Sequence, residues 1–90
     1  MAWTISLSEA ADRSLQRLDP PVAKRIVVFL GIRLAGAENP RVLGEPLVGP
    51  AFGGLWRFRV GDYRLICRVE DEKLHVLVVQ IGHRREIYRL

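Results

Sequence analysis

Ninety residues, 49% hydrophobic and 27% charged, can fill a core of their own, which excludes disorder by composition and predicts one domain over 1–90. Fourteen Lys and Arg against 10 Asp and Glu leave a formal charge of +4, so an anionic partner is expected: nucleic acid, an acidic protein or an anionic surface. One cysteine, Cys67, excludes an intramolecular disulfide framework and a cysteine-built zinc site, and suits a reducing cytosol.

The chain opens with Trp3, Ile5 and Leu7 alternating with Thr4 and Ser6, the two-residue period of a half-buried strand. These first residues have no basic segment and no long apolar run, so no secretion signal is predicted and the expected location is cytoplasmic. Ser6 or Ser8 can cap the helix that follows, with Glu9 suiting the positive end of its dipole. Ala11, Leu15 and Leu18 form its apolar stripe. Asp19-Pro20-Pro21 then ends one helix and starts the next, Asp19 as N-cap and Pro20 in the first helical position. Val22, Ile26, Phe29, Leu30 and Leu34 make a second stripe, and Gly36 is a terminator, which predicts an antiparallel helical hairpin. The most apolar stretch, from Ile26 to Ile32, is interrupted by Gly31 and bounded by Arg25 and Arg33, far short of the ~18 apolar residues that a membrane helix needs.

Residues 37–54 are rich in Gly and Pro and read as a loop with one short turn of helix. Three strand-like runs follow: Leu55–Val60, Tyr63–Glu70 and Lys73–Ile81. Gly61-Asp62 suits a two-residue hairpin turn of type II′, and Asp71-Glu72 is a weaker second turn. The basic tail from Gly82 to Leu90 reads as a short helix. The expected fold class is α+β: an N-terminal strand, a helical hairpin, a three-stranded antiparallel meander completing a small twisted sheet, and a short C-terminal helix.

A two-residue turn at Gly61-Asp62 fixes the pairing of the first two runs, with Arg59 facing Arg64 and Trp56 facing Cys67. Alternation then puts Trp56, Phe58, Val60, Tyr63, Leu65, Cys67 and Val69 on one face and Arg57, Arg59, Arg64 and Arg68 on the other. Like charges directly opposite destabilise a strand pair by a few tenths to ~1 kcal/mol. Two readings stay open: a site for polyanion oxygens, which Arg binds in bidentate geometry, or a solvated basic face whose side chains fan apart. In the third run Leu74, Val76 and Val78 point one way and Leu77, Val79 and Ile81 the other, so its second face needs a cover from the tail, the preceding loop or another chain. That brings the tail to the arginine face, where His83, Arg84 and Tyr88 can join the cluster. His75 falls opposite Arg68 and reads as a surface residue, and two isolated histidines make no metal site. No Ser-His-Asp spacing, glycine-rich phosphate loop or carboxylate dyad is apparent, and no cofactor is expected.

The order of elements and the motifs resemble the RelE/ParE superfamily of toxins from toxin–antitoxin pairs, over essentially the whole chain. The resemblance rests on the opening strand and helical hairpin, on Asn39-Pro40-Arg41-Val42-Leu43-Gly44-Glu45-Pro46-Leu47-Val48-Gly49, on Leu55-Trp56-Arg57-Phe58-Arg59-Val60-Gly61-Asp62-Tyr63-Arg64-Leu65, and on Gly82-His83-Arg84-Arg85-Glu86-Ile87-Tyr88. The hairpin motif is shared with the ParE branch; the Gly-His-Arg-x-x-x-Tyr ending is RelE-like. The RelE resemblance implies a metal-independent endoribonuclease, an mRNA interferase that cuts in the ribosomal A site with the substrate's 2′-hydroxyl as nucleophile. By position it implies Arg57, Arg59, Arg64 and Arg84 as holders of the RNA phosphate and Tyr88 as a stacking or orienting residue. Arg cannot act as a base and the cluster has no lysine, which leaves His83 as candidate general base and Tyr88 second. The alternative is a ParE-like non-enzymatic toxin that binds and poisons DNA gyrase. Either branch implies an acidic, RelB-like antitoxin as partner. The RelE branch adds the ribosome and mRNA; DNA is contacted only through the antitoxin complex, and no membrane is involved.

Overall fold

In the computed structural model, which describes residues 2–87, five strands form one sheet in the order β1-β5-β4-β3-β2. They are β1 (Thr4–Leu7), β2 (Glu45–Pro46), β3 (Leu55–Val60), β4 (Tyr63–Glu70) and β5 (His75–His83). Only β1 and β5 run parallel; the other neighbours are antiparallel. Two helices, α1 (Glu9–Arg17) and α2 (Pro20–Val28), cover one face, and α2 continues as a wider π-type segment over Phe29–Leu34.

The helical hairpin follows from its caps and stripes. Ser8 caps α1, its Oγ accepting the Ala11 N–H at 3.0 Å. Pro20 starts α2 behind Asp19, whose side chain makes no capping bond. Ala11, Ile26, Phe29, Leu30 and Leu34 are buried, with Leu15, Leu18 and Val22 packed beside them, as the helical spacings predict. They lie on Phe58, Leu65, Cys67, Val76 and Val78, none of which has exposed surface.

Four features depart from the sequence expectation. The segment 37–54 contains β2, paired as Glu45 with Arg57 and Pro46 with Trp56, besides short 3-10 turns at Pro40–Leu43 and Pro50–Phe52. Two residues show no period, and Pro46 is tolerated because β2 is an edge strand. The β4–β5 connection is longer than two residues: Asp71–Lys73 form a 3-10 turn and Leu74 takes a left-handed conformation (φ 47°), so β5 starts at His75. His75 therefore pairs with Glu70, not with Arg68, which pairs with Leu77. Residues 84–87 form turns closed by the Glu86 and Ile87 N–H groups on the His83 carbonyl, not a helix.

The departure with most effect is a β-bulge. Cys67 pairs with Val78 but Ile66 pairs with Gln80, which leaves Val79 as an extra residue in β5. Beyond it the alternation inverts. Ile81 joins Val76 and Val78 in the helix-side core instead of standing with Leu77 on the open face.

Candidate functional site

The β3–β4 hairpin has the pairing that its turn chemistry predicts, from Val60 with Tyr63 through Arg59 with Arg64 to Leu55 with Arg68. Gly61 has φ 59°, the positive angle that a two-residue hairpin turn demands. With Phe58, Leu65 and Cys67 committed to the core, alternation brings Arg57, Arg59, Arg64 and Arg68 to the face without helices.

Three of the guanidinium groups on this face, those of Arg57, Arg59 and Arg64, have partners within the chain. Arg57 donates to Glu45 Oε2 at 2.5 Å, and Arg59 lies 3.3 Å from the other oxygen of the same carboxylate. The hydrogen bond from Arg57, reinforced by its charge and that of Arg59, holds the Glu45 carboxyl below the usual carboxylate range. Arg64, across from Arg59, turns toward the hairpin end and donates to the carbonyls of Gly61 and Tyr63, both at 3.0 Å. Arg84 reaches the same turn: its backbone N–H donates to the Asp62 carbonyl at 2.8 Å, and its Nε lies 3.8 Å from the Asp62 carboxylate.

The cover over the open face comes from the chain's own tail. Gly82 pairs with Arg64, and a Cβ at Gly82 would lie 2.9 Å from Ile87 Cδ1, so Ile87 folds back over the arginine side of β5. Ile66 and Ile87, each 1% exposed, are the buried apolar pair that stands outside the helix-side cluster.

Of the predicted site residues, Arg57, Arg59 and Arg64 come together, and Arg84 joins them at the turn. Tyr88 lies outside the described residues. His83 does not join the cluster. It pairs with Tyr63 and meets that ring edge-on at 5.6 Å, on the helix side of the sheet, while its Nδ1 accepts the Arg85 N–H at 3.2 Å. The cause is the Val79 bulge, which inverts the side on which every later β5 residue stands. Glu45 is the residue that the sequence reading missed, and its one signal was the glycine before it. Gly44 runs so close to β3 that a Cβ would come within 2.6 Å of the Arg57 carbonyl oxygen and 2.7 Å of the Phe58 ring.

Elsewhere, His75 joins three strands: its Nδ1 lies 2.6 Å from Glu70 Oε1 and its Nε2 2.8 Å from Ser6 Oγ. Cys67 is buried, which pushes its thiol up to about 12 and leaves it without a thiolate at neutral pH. Among the described residues no helix is long and apolar enough to cross a membrane.

Comparison with known proteins agrees with this architecture. The family described as the ParE toxin of the type II toxin–antitoxin system parDE matches residues 5–88. Toxin RelG of Mycobacterium tuberculosis is 33% identical over 89 residues, 99% of each chain. Toxin RelE of the same organism is 34% identical over 88 residues, 98% of this chain and 88% of its own. Among solved structures, a chain of the Mycobacterium tuberculosis toxin–antitoxin complex RelBE2 superposes with a TM-score of 0.84 at 30% identity, covering 93% of both. Fold and sequence together define a toxin of a type II toxin–antitoxin pair. The chain belongs to the RelE/ParE superfamily.

Proposed function

We propose that the arginine face of the β3–β4 hairpin binds the backbone of mRNA in the ribosomal A site and promotes its cleavage. The observation that carries this reading is the direct pairing of Arg59 with Arg64, with Arg57 beside them, on the face that the helices leave open. Two cations directly opposite one another weaken a sheet, and a bound phosphate relieves that repulsion. The substrate's 2′-hydroxyl attacks the adjacent phosphorus and the 5′ oxygen leaves. The products are a 2′,3′-cyclic phosphate and a 5′-hydroxyl, with no metal needed. Arg57, Arg59, Arg64 and Arg84 hold the phosphate and stabilise the charge that develops on it. Tyr88 stacks on an exposed base or orients the attacking hydroxyl.

The partner that restrains this activity is an acidic, RelB-like antitoxin, and the protein works in the cytoplasm. A groove between α2 and β3, whose lining includes Lys24, Arg25 and Arg33 and no acidic residue, offers it complementary charge. The RelBE2 structure, a toxin–antitoxin complex, supports the same pairing.

The test is cleavage of a defined mRNA with and without programmed ribosomes, with the RNA ends mapped. Cuts within A-site codons only when ribosomes are present, slowed about 100-fold or more in Arg64→Ala, are expected from the loss of one charge-stabilising donor. The match to the ParE family keeps one second reading open, poisoning of DNA gyrase without catalysis. Intact RNA under both conditions, from folded protein that still traps gyrase on DNA, selects that reading instead.

A further inference from the structure

The groove between α2 and β3 has a volume of about 660 Å³, the size of a small-molecule site, and its lining includes Val28, Phe29 and Val60. Three cations stand around this apolar floor. The Arg25 guanidinium lies against the hairpin turn, where a Cβ on Gly61 would come within 3.2 Å of its Nη1. The Arg33 guanidinium lies over the Phe29 ring, 5.8 Å from its centroid. Lys24, the third, is exposed. Among the described residues no carboxylate pairs with any of these three, whereas Arg41, Arg57, Arg59 and Arg84 each have one.

The strand adds a polar edge to the groove. Its neighbour β2 pairs only with Trp56 and Arg57, so among the described residues no strand lies beside Arg59 on that side. The Leu55 carbonyl accepts the Leu47 N–H there, and the two-residue alternation turns the main chain of Arg59 to the same side. The Arg59 side chain stands on the open face, so what Arg59 brings to the groove is a backbone N–H and C=O.

We propose that this groove binds a free nucleoside polyphosphate. A nucleobase carries a donor and an acceptor on one edge, which match the Arg59 N–H and C=O, and its apolar faces suit Val28 and Val60. The polyphosphate concentrates its charge in one place and lies against Lys24, Arg25 and Arg33. An RNA strand or an acidic peptide spreads its charge along its length, which suits three cations in one small groove less well. A ring and a glycine, not carboxylates, hold the two guanidinium groups, so binding breaks no ion pair. This binding requires neither RNA cleavage nor the arginine face of the sheet. An acidic antitoxin would compete with the nucleotide for the same cations.

Calorimetric titration of the protein with ATP and with GTP tests the site. At least one of them is expected to bind about tenfold or more tighter than inorganic tripolyphosphate or adenosine, each of which supplies half of the contacts. Lys24→Gln combined with Arg33→Gln is expected to weaken that binding about tenfold or more. Arg13→Gln combined with Arg17→Gln removes the same charge from α1, outside the groove, and is expected to change it by less than about twofold. All four side chains are exposed, and a circular-dichroism melt like that of wild type confirms that both double variants fold. No binding of either nucleotide up to ~1 mM overturns the proposal. Tripolyphosphate that binds as tightly as the nucleotide does the same, because it marks a surface that reads charge alone. An equal loss in both double variants also overturns it, since net charge and not the groove is then responsible. A 5′-hydroxyl RNA trinucleotide or an acidic peptide that binds more tightly than both nucleotides assigns the groove to RNA or to a protein instead.

Discussion

Gly44 has no room for a side chain. An added Cβ would meet the Arg57 carbonyl oxygen at 2.6 Å and the Phe58 ring at 2.7 Å, and Phe58 is fully buried, so neither neighbour can give way cheaply. Gly44→Ala is therefore expected to lower stability by about 1–3 kcal/mol, the range for overpacking a core, as read from the midpoint of urea unfolding. It is also expected to weaken the pairing of Glu45 with Arg57. An unchanged midpoint would show that the chain does not run this close to β3. At this scale the arginines were legible and Glu45 was not. Arg57, Arg59 and Arg64 lie in long runs with a strict two-residue period, closed by a turn that sets the register. Glu45 sits in a two-residue strand whose existence depends on Arg57 and Trp56, which follow it in the chain, so no local pattern announces it.

At the scale of elements, the bulge in β5 and the start of α1 share one hydroxyl. Ser8 Oγ donates to the Val79 carbonyl at 2.6 Å and accepts the Ala11 N–H at 3.0 Å, so one hydroxyl serves both the extra residue of β5 and the first turn of α1. Ser8→Ala is expected to cost about 1–2 kcal/mol in urea unfolding, the upper part of the range for a lost N-cap. A loss of only a few tenths would mean that water replaces the hydroxyl at both ends. The helical hairpin was readable because a proline pair, a capping serine and two stripes all agree. The bulge was not, since Val79 is one β-branched residue in an apolar run and nothing local marks it as extra. That one unmarked residue moved both Ile81 and His83 to the side of the sheet opposite to the one expected.

Across the whole molecule the electrostatic pattern predicts an acid limit. Hydrogen bonds from Arg57, His75 and Arg41 hold the carboxyls of Glu45, Glu70 and Asp71, respectively, below their ordinary values. In the folded state these groups bind fewer protons than in the unfolded chain. Their contribution is complete above the unfolded value near ~4 and is lost as pH falls through the lower folded values. Thermal midpoints recorded between pH 7 and pH 2 are expected to drop steadily below pH ~4, and less steeply in high salt, which screens exposed pairs. A midpoint that stays flat across that interval would show that these pairs do not act on stability.

The parallel pairing of β1 with β5 sets a timetable as well as a shape. A chain is made from its N-terminus, and among the described residues the only sheet neighbour of β1 is β5, with Thr4 registered on His75. The β3–β4 hairpin joins neighbours in sequence, whereas β1 must wait until β5, far along the chain, has been synthesised. Until then the apolar faces of Phe58 and Leu65 have no completed sheet on which to gather the helices. The complete five-stranded sheet therefore first exists once β5 has been made, and neutralisation by an antitoxin is needed only from that point on.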